Sequence, residues 1–235
     1  MPSLSLATFN TRWGLDSSFF PYDVAGACRD IDTDVIVMQE TWWPDVGTSF
    51  VDEAADLGYR AHPLRLCRGG FRRGKPWPTR SGVAGAGWWG LAILSRLPTR
   101  QVGSVDLVAL RRDPALRGAL IVELDVDGAA FTVVGTHLAH LSQGSRRQVA
   151  DLRDKLPALD RPAALCGDMN MWGPLIDGLL PGWRRAVKAR TWPAPLPHSQ
   201  IDHILVTPSV AGADGRRLGR TGSDHRPLRV TLTFD

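Results

Sequence analysis

The sequence has 235 residues and a hydrophobic fraction of 43%, which is enough for a packed core and excludes disordered and collagen-like proteins. Its net charge is +4, and its basic residues are almost all arginines. Coding bias in a GC-rich genome explains the arginines as well as an anionic ligand does. The charge therefore does not distinguish nucleic acid, nucleotide and phospholipid as substrates. Three widely spaced cysteines without a CxxC pair suggest neither a disulfide framework nor a zinc site. No run reaches the ~18 apolar residues of a membrane-spanning helix.

Short apolar runs recur along the chain, each bounded by Gly, Pro, Asp or Arg, and these runs predict β-strands. In chain order the predicted strands cover residues 4–9, 34–38, 59–66, 90–94, 101–108, 119–125, 131–136, 163–166, 201–206 and 228–234. The Asp127-Gly128 dipeptide lies between two of them and predicts a hairpin turn.

Helical patterns lie between some of these strands and predict helices over residues 22–31, 46–57, 142–156 and 174–180. Many strands with few helices between them predict an α+β fold in which two packed sheets carry helices on the outside. The stretches 67–89 and 192–197 are predicted to be surface loops. Because no composition shift marks a boundary, residues 1–235 are predicted to form one domain.

Ionisable and amide side chains stand at the boundaries of the predicted strands, where active sites are normally built. Carboxylate and amide oxygens without cysteine favour Mg²⁺ or Mn²⁺ over Zn²⁺, and two imidazoles remain for proton transfer and charge stabilisation. His140, His198 and His203 lie outside these boundary positions and are predicted to be structural. The boundary residues are Asn10, Glu40, His137, Asp168, Asn170, Asp202, Asp224 and His225.

The segments that carry these residues resemble, in order, the motifs of the endonuclease/exonuclease/phosphatase superfamily. They are ATFNT at 7–11, DVIVMQE at 34–40, GLAILSR at 90–96, GTHL at 135–138, CGDMN at 166–170, IDHI at 201–204 and SDHRPL at 223–228. The resemblance covers nearly the whole chain, and as a set the motifs are specific for the superfamily but not for one member. It implies a four-layered α/β sandwich with two central mixed β-sheets flanked by helices, in a bacterial member.

The resemblance also implies a divalent-metal site. Glu40 would be the principal ligand of Mg²⁺ or Mn²⁺, with Asn10 beside it. Asp224 would bind the metal directly or through water.

The remaining boundary residues take catalytic roles by the same resemblance. His225, oriented by Asp202, would contact the scissile phosphate or take a proton from the attacking water. Asp168 would position or deprotonate that water, so the base stays open between Asp168 and His225. Asn170 would hold the charge that develops on the phosphorane, and His137 would hold another phosphate oxygen. The implied reaction is phosphoester hydrolysis by in-line attack of water.

Two features outside the motifs bear on the substrate. The first is the stretch 65–80, which contains Arg72 and Arg73 among six basic residues, is interleaved with aromatics and lacks acidic residues. Such a stretch suits the phosphates and bases of a nucleic acid, although a solvated, arginine-enriched loop would have the same composition. The second is three tryptophans that are predicted to line the substrate site. Trp42 and Trp172 closely follow the Glu40 and Asp168–Asn170 motifs, with edge-of-core packing as the alternative, and Trp192 lies in a loop upstream of Asp202 that resembles a loop of bacterial family members.

Three functions remain open at this point. A nuclease or phosphodiesterase acting on DNA or RNA is favoured by the basic stretch and the tryptophans. A phosphatase or phosphodiesterase of a small molecule, such as a nucleotide, inositol phosphate, lipid headgroup or secondary metabolite, is favoured by the short chain. A binding protein without hydrolysis is disfavoured, because every expected catalytic residue type is retained. The first of these functions is predicted. The protein is predicted to be cytoplasmic, because the amino terminus shows no signal-peptide pattern, and it is predicted to be a monomer.

Overall fold

The computed structural model describes residues 1–72, 75–79, 86–156, 158 and 160–235. These residues form strands and helices in a mixed order. The strands are β1 (Ser3–Asn10), β2 (Val35–Pro44), β3 (Arg60–Arg72), β4 (Lys75–Thr79), β5 (Gly87–Ser95), β6 (Thr99–Asp106), β7 (Gly118–Val126), β8 (Ala129–His137), β9 (Ala163–Asp168), β10 (Arg184–Arg185), β11 (Asp202–Val206), β12 (Val210–Arg217) and β13 (Leu228–Phe234). The helices are α1 (Val24–Ile31), α2 (Phe50–Ala55), α3 (Ser145–Arg153) and α4 (Gly173–Leu179).

The strands form two mixed sheets. The first sheet has the order β12-β13-β1-β2-β5-β3-β4, and the second has the order β10-β11-β9-β8-β7-β6. Each sheet contains one parallel pair, β1 with β2 and β8 with β9, among antiparallel neighbours. Parallel strands end at the same sheet edge, so the residues that follow β1 and β2 lie together, as do those that follow β8 and β9.

The two sheets pack face to face, and side chains alternate along each strand between this interface and the helices outside. Leu6, Val37 and Ile93 of the first sheet share an apolar cluster with Val122 and Val133 of the second. The predicted pair of packed sheets with mixed strand directions is therefore confirmed.

Helices cover the outer faces, which completes the four layers implied by the resemblance. Phe9 of the first sheet clusters with Cys28 and Ile31 of α1, and α2 adds Val51 to the same cluster. On the other side α3 and α4 cluster with the outer face of the second sheet. No helix in the described parts of the chain combines the length and apolarity needed to cross a membrane.

Local sequence explains where these elements begin and turn. The carboxylate of Asp23 accepts a hydrogen bond from the Gly26 amide at 2.7 Å, which caps α1, and Ser49 forms a capping box with Asp52 at the start of α2. The predicted hairpin is confirmed: Asp127 and Gly128 have φ of +52° and +88° and join β7 to β8.

The prediction of a surface loop over residues 67–89 was wrong for much of that stretch. β3 continues to Arg72, pairs with β4, and β5 begins at Gly87. Pro76 and Pro78 had favoured a loop. They are tolerated in β4 because β4 is an edge strand, in which a residue without an N–H donor need not break a hydrogen bond of the sheet. β12 was also missed, because its exposed glycine-rich and charged sequence carries no apolar alternation.

Candidate active site

The predicted catalytic and metal-binding residues converge where β1 and β2 of the first sheet meet β8 and β9 of the second sheet. Asn10 closes β1, and its Nδ2 donates to Oε1 of Glu40 at 3.3 Å and to Oδ2 of Asp168 at 3.0 Å. The second of these bonds crosses from one sheet to the other, because Asp168 ends β9. Asn10 thus fixes the distance between two carboxylates that lie 128 residues apart in the chain, at positions 40 and 168.

A β-bulge directs Glu40 toward this meeting point. Gln39 is paired with Leu91 and Thr41 with Gly90, so Glu40 is an extra residue in β2, and its φ is +54°. A bulge of this kind turns a side chain out of the alternating pattern, and positive φ in a residue other than glycine is often found at functional sites. The bulge explains how a carboxylate within the buried strand β2 can be directed toward the site.

The Asp168–Asn170 turn is equally constrained. Oδ1 of Asp168 accepts a hydrogen bond from the Asn170 amide at 2.9 Å, and Asn170 has a φ of +50°. Nδ2 of Asn170 donates to the Leu138 carbonyl at 2.9 Å and lies 3.4 Å from Nε2 of His137. The turn therefore brings the amide of Asn170 beside the imidazole of His137.

His225 is paired with Asp202, as the resemblance implied. Nδ1 of His225 lies 2.9 Å from Oδ2 of Asp202, and both side chains are buried. Burial by itself lowers the pKa of His225, but the carboxylates of Asp202 and Asp168 outweigh it and raise that pKa above its ordinary value. The hydroxyl of Ser223 donates to the Asn10 carbonyl at 2.7 Å, which ties the segment that carries His225 to β1.

The pKa of His137 is shifted in the opposite direction to that of His225. Burial, and then the positive charges of Arg117 and His225, hold the pKa of His137 well below its ordinary value. Its Nε2 lies 3.6 Å from Oδ2 of Asp168, and Nε2 of His225 lies 3.8 Å from the same oxygen. One carboxylate oxygen is therefore flanked by an imidazole with a lowered pKa and an imidazole with a raised pKa. Burial, followed by the charge of Asp202, raises the pKa of Asp168.

The oxygen donors of the site suit a hard divalent cation. Burial and the neighbouring charge of Asp224 raise the pKa of Glu40, so the two carboxylates repel each other and a cation would relieve that repulsion. Asp168, Asp202 and His225 also offer ligand atoms within 4.8 Å of one another. Two of these three residues, Asp202 and His225, are already joined by a hydrogen bond, which leaves the Glu40 side as the better position for a metal.

These residues open into a cleft of about 730 Å³. Trp172 and Trp192 line it as predicted, and so do Arg12 and Arg117, which the motif positions did not include. The prediction that Trp42 lines the cleft was wrong: its ring is buried against Trp13, at 4.9 Å between ring centres. His140 and His198, which were expected to be structural, do line the cleft. His203 is buried, with Nε2 2.9 Å from the Met171 carbonyl, as expected of a structural histidine. Arg73 and the side chain of Arg72 lie outside the described residues.

The sandwich and its acidic, histidine-bearing cleft define the class of the protein as an α/β-sandwich hydrolase. Residues 7–225 match the sequence profile of the Endonuclease/Exonuclease/phosphatase family. The chain belongs to this family, whose members are phosphoester hydrolases, and it is an enzyme of that kind. No match was found among curated proteins.

Solved structures share the fold at low sequence identity. An endonuclease/exonuclease/phosphatase from Beutenbergia cavernae DSM 12333 is 20% identical with a TM-score of 0.78, over 100% of this chain and 72% of that chain. A mannosyl-6-phosphatase from Bacteroides thetaiotaomicron VPI-5482 is 20% identical with a TM-score of 0.67, over 98% and 100% of the two chains. D. rerio TDP2 complexed with single strand DNA product is 16% identical with a TM-score of 0.65, over 98% and 99%.

Proposed function

We propose that the chain is a Mg²⁺- or Mn²⁺-dependent phosphodiesterase that cleaves DNA or RNA. The observation that carries the proposal is a set of exposed aromatic side chains near the carboxylate–histidine cleft. Trp172 at its rim is 63% exposed, and Phe71 on the β3–β4 hairpin is 44% exposed and lies 5.9 Å, between ring centres, from Trp13, which lines the cleft. Exposed aromatic faces beside cationic side chains suit the stacking of unpaired bases. Lys75 on the same hairpin supplies a cation.

The metal would be held by Glu40, Asn10 and Asp224. When bound, it would neutralise charge on the non-bridging oxygens of the phosphate. Asp224 also lies 3.4 Å, through Oδ2, from Nε of Arg12, which lines the cleft. The side chain of Arg12 thereby holds Asp224 at the cleft wall.

Proton transfer and charge stabilisation are assigned to different residues of the site. Asp168 takes the proton of the attacking water, because its raised pKa matches the requirement for a base near neutral pH. His225, kept protonated by Asp202, donates from Nε2 to a phosphate oxygen. Asn170 and His137 flank the same space and bind the oxygens on which negative charge develops.

A second candidate is hydrolysis of a small phosphoester. The volume of the cleft, about 730 Å³, is within the range of small-molecule sites. Trp192, with His198 edge-on at 5.6 Å between ring centres, and Trp172 could enclose such a ligand. The mannosyl-6-phosphatase and the TDP2–DNA complex named above fit the second and the first candidate respectively.

Substrate and metal tests separate these candidates. The purified protein is incubated with single-stranded and plasmid DNA, RNA, bis-p-nitrophenyl phosphate and p-nitrophenyl phosphate, each with Mg²⁺, Mn²⁺ or EDTA. We expect metal-dependent cleavage of the nucleic acids and the diester, with nucleic-acid affinity falling steeply as salt rises. Turnover of monoesters alone would replace the first candidate with the second. Full activity in EDTA would contradict the metal dependence in both.

Removal of the Asn170 side chain tests the charge-stabilising role. Asn170→Gly is the sharper variant, because glycine tolerates the φ of +50° that alanine would strain. Loss of one such donor typically costs about 10²–10³ in kcat, and we expect that loss with a nearly unchanged melting temperature. Asp127→Gly, at a φ of +52° in the distant hairpin, is the matched control and should retain wild-type kcat. A wild-type kcat in Asn170→Gly would refute the role.

A further inference from the structure

Arg117 is a rigidly held cation that the proposed mechanism does not use. It stands immediately before β7 and is only 8% exposed. Its Nε donates to Oδ2 of Asp113 at 2.8 Å and its Nη2 donates to Oδ1 at 3.2 Å. The same Oδ1 accepts a hydrogen bond from the Ala115 amide at 3.1 Å, so the carboxylate itself is fixed by the turn that leads to β7. This paired geometry sets the plane of the guanidinium.

An aromatic ring supports the guanidinium from one side. The Cζ atom of Arg117 lies 5.0 Å from the ring centre of Trp89, which is buried, and that ring lies 5.5 Å from the ring of His137. Stacking on an aromatic face and a carboxylate fork are the two contacts that distinguish arginine from lysine. Together they leave the side chain little freedom to move away from the cleft.

One nitrogen of this guanidinium has no hydrogen-bond partner among the described residues. Nη1 of Arg117 is buried and makes no hydrogen bond with any part of the chain that the structure describes. Leaving a buried charged donor unpaired costs more than leaving a neutral one, so its retention calls for an acceptor supplied from outside. Arg117 lines the cleft, and its charge is a cause of the lowered pKa of both His137 and His140. The residue that carries the unpaired nitrogen therefore belongs to the cleft wall, beside His137 and His140.

We propose that Arg117 binds an oxygen of the substrate phosphate through Nη1, on the His137 side of the cleft. Asp113 is the positioning residue: it holds the guanidinium by the other two nitrogens and leaves Nη1 for the ligand. The proposal rests on the phosphoester hydrolysis of the family and applies equally to a nucleic acid and to a small molecule. A preorganised donor of this kind strengthens ground-state binding of phosphate as well as the transition state.

Calorimetry with inorganic phosphate in Mg²⁺-containing buffer tests the proposal without requiring turnover. Arg117→Met should weaken the phosphate Kd by about 10- to 100-fold, the worth of a hydrogen bond to a charged group. Arg117→Lys keeps the charge but cannot make the fork, so it should lie between Met and wild type. Asp113→Asn keeps the guanidinium but loosens it, and should weaken binding by less than Arg117→Met.

A second arginine–aspartate pair provides matched controls. Arg100 donates from Nε and Nη2 to Oδ2 of Asp125 at 3.1 and 2.7 Å, and neither residue lines the cleft. Arg100→Met and Asp125→Asn should leave the phosphate Kd unchanged. A wild-type Kd in folded Arg117→Met would overturn the proposal, and so would absence of phosphate binding by the wild type.

Two further readouts cover the remaining outcomes. If Arg117→Met does not fold, a wild-type Kd in Arg117→Lys together with Asp113→Asn would overturn the proposal equally. On bis-p-nitrophenyl phosphate, Arg117→Lys should raise KM as well as lower kcat, whereas a merely structural role would lower the melting temperature and leave KM unchanged. A wild type that binds phosphate but cleaves no nucleic acid would contradict the proposed substrate and leave this proposal standing.

Discussion

Glu40→Gln is expected to reduce kcat/KM for any phosphoester substrate by about 10²–10⁴-fold, because a bound metal supplies several kcal/mol of charge stabilisation in the transition state. Glutamine keeps the shape of the side chain and can still accept from Nδ2 of Asn10, whose bond to Oε1 of Glu40 is 3.3 Å. What it removes is the negative charge that would hold the cation. The loss should therefore appear without disruption of the bulge in β2.

The same variant should be more stable than the wild type in EDTA. Burial and Asp224 raise the pKa of Glu40, so between its ordinary and raised pKa the folded state binds more protons than the unfolded state, and stability falls as pH rises. At neutral pH the ionised Glu40 therefore destabilises the folded state, and glutamine removes this destabilisation. With Mg²⁺ the order reverses, because a ligand that binds only the folded state raises its stability.

Melting temperatures in EDTA and in Mg²⁺, measured beside kcat/KM, check both halves of this prediction. Glu123→Gln is the matched control: Glu123 is a half-buried residue of β7 outside the cleft, and its replacement should not change the response to Mg²⁺. An unchanged Mg²⁺-induced shift in Glu40→Gln would show that the metal is held elsewhere, with Asp168, Asp202 and His225 as the next set to test.

Most positions of the site residues could be predicted because they lie at strand boundaries that the sequence marks, although Glu40 lies within β2. Asn10 closes β1, Asp168 closes β9 and Asp202 opens β11, as the apolar runs indicated. Strands buried on both faces read as unbroken apolar runs, and their ends are therefore clear. The family resemblance then supplied the grouping, and the structure brings the residues together across the two sheets.

Features that depend on pairing between distant strands could not be predicted in this way. The bulge at Glu40 exists only relative to the register of β2 with β5, so a single strand sequence contains no sign of it. Trp42 lies one residue beyond Thr41 and was expected at the cleft, but the register directs it to the buried side, where it stacks on Trp13. The fixed geometry of Arg117 could not be predicted either, because its partner Asp113 and its support Trp89 meet it only after the sheets pack.

His225→Ala is expected to lower kcat by about 10²–10⁴-fold while the protein stays folded, the usual scale for removal of a group that transfers or donates a proton. The role of His225 depends on Asp202, whose Oδ2 lies 2.9 Å from Nδ1 of His225. Asp202→Asn should therefore also reduce kcat, and the double variant should be little worse than His225→Ala alone, since residues that act as a unit are not additive. His62→Gln, a buried histidine outside the cleft, is the control and should keep wild-type kcat.

A proton titration connects this kinetic result to its cause. In EDTA, the NMR-measured pKa of His225 should be raised in the wild type and lower in Asp202→Asn, because Asp202 is the first of the carboxylates that outweigh burial. A raised pKa means that His225 enters the reaction as a cation, so it can bind phosphate oxygen but cannot accept a proton from water. The base is then Asp168, whose Oδ2 lies 3.8 Å from Nε2 of His225. A depressed pKa of His225 in the wild type would reverse this division and make His225 the base.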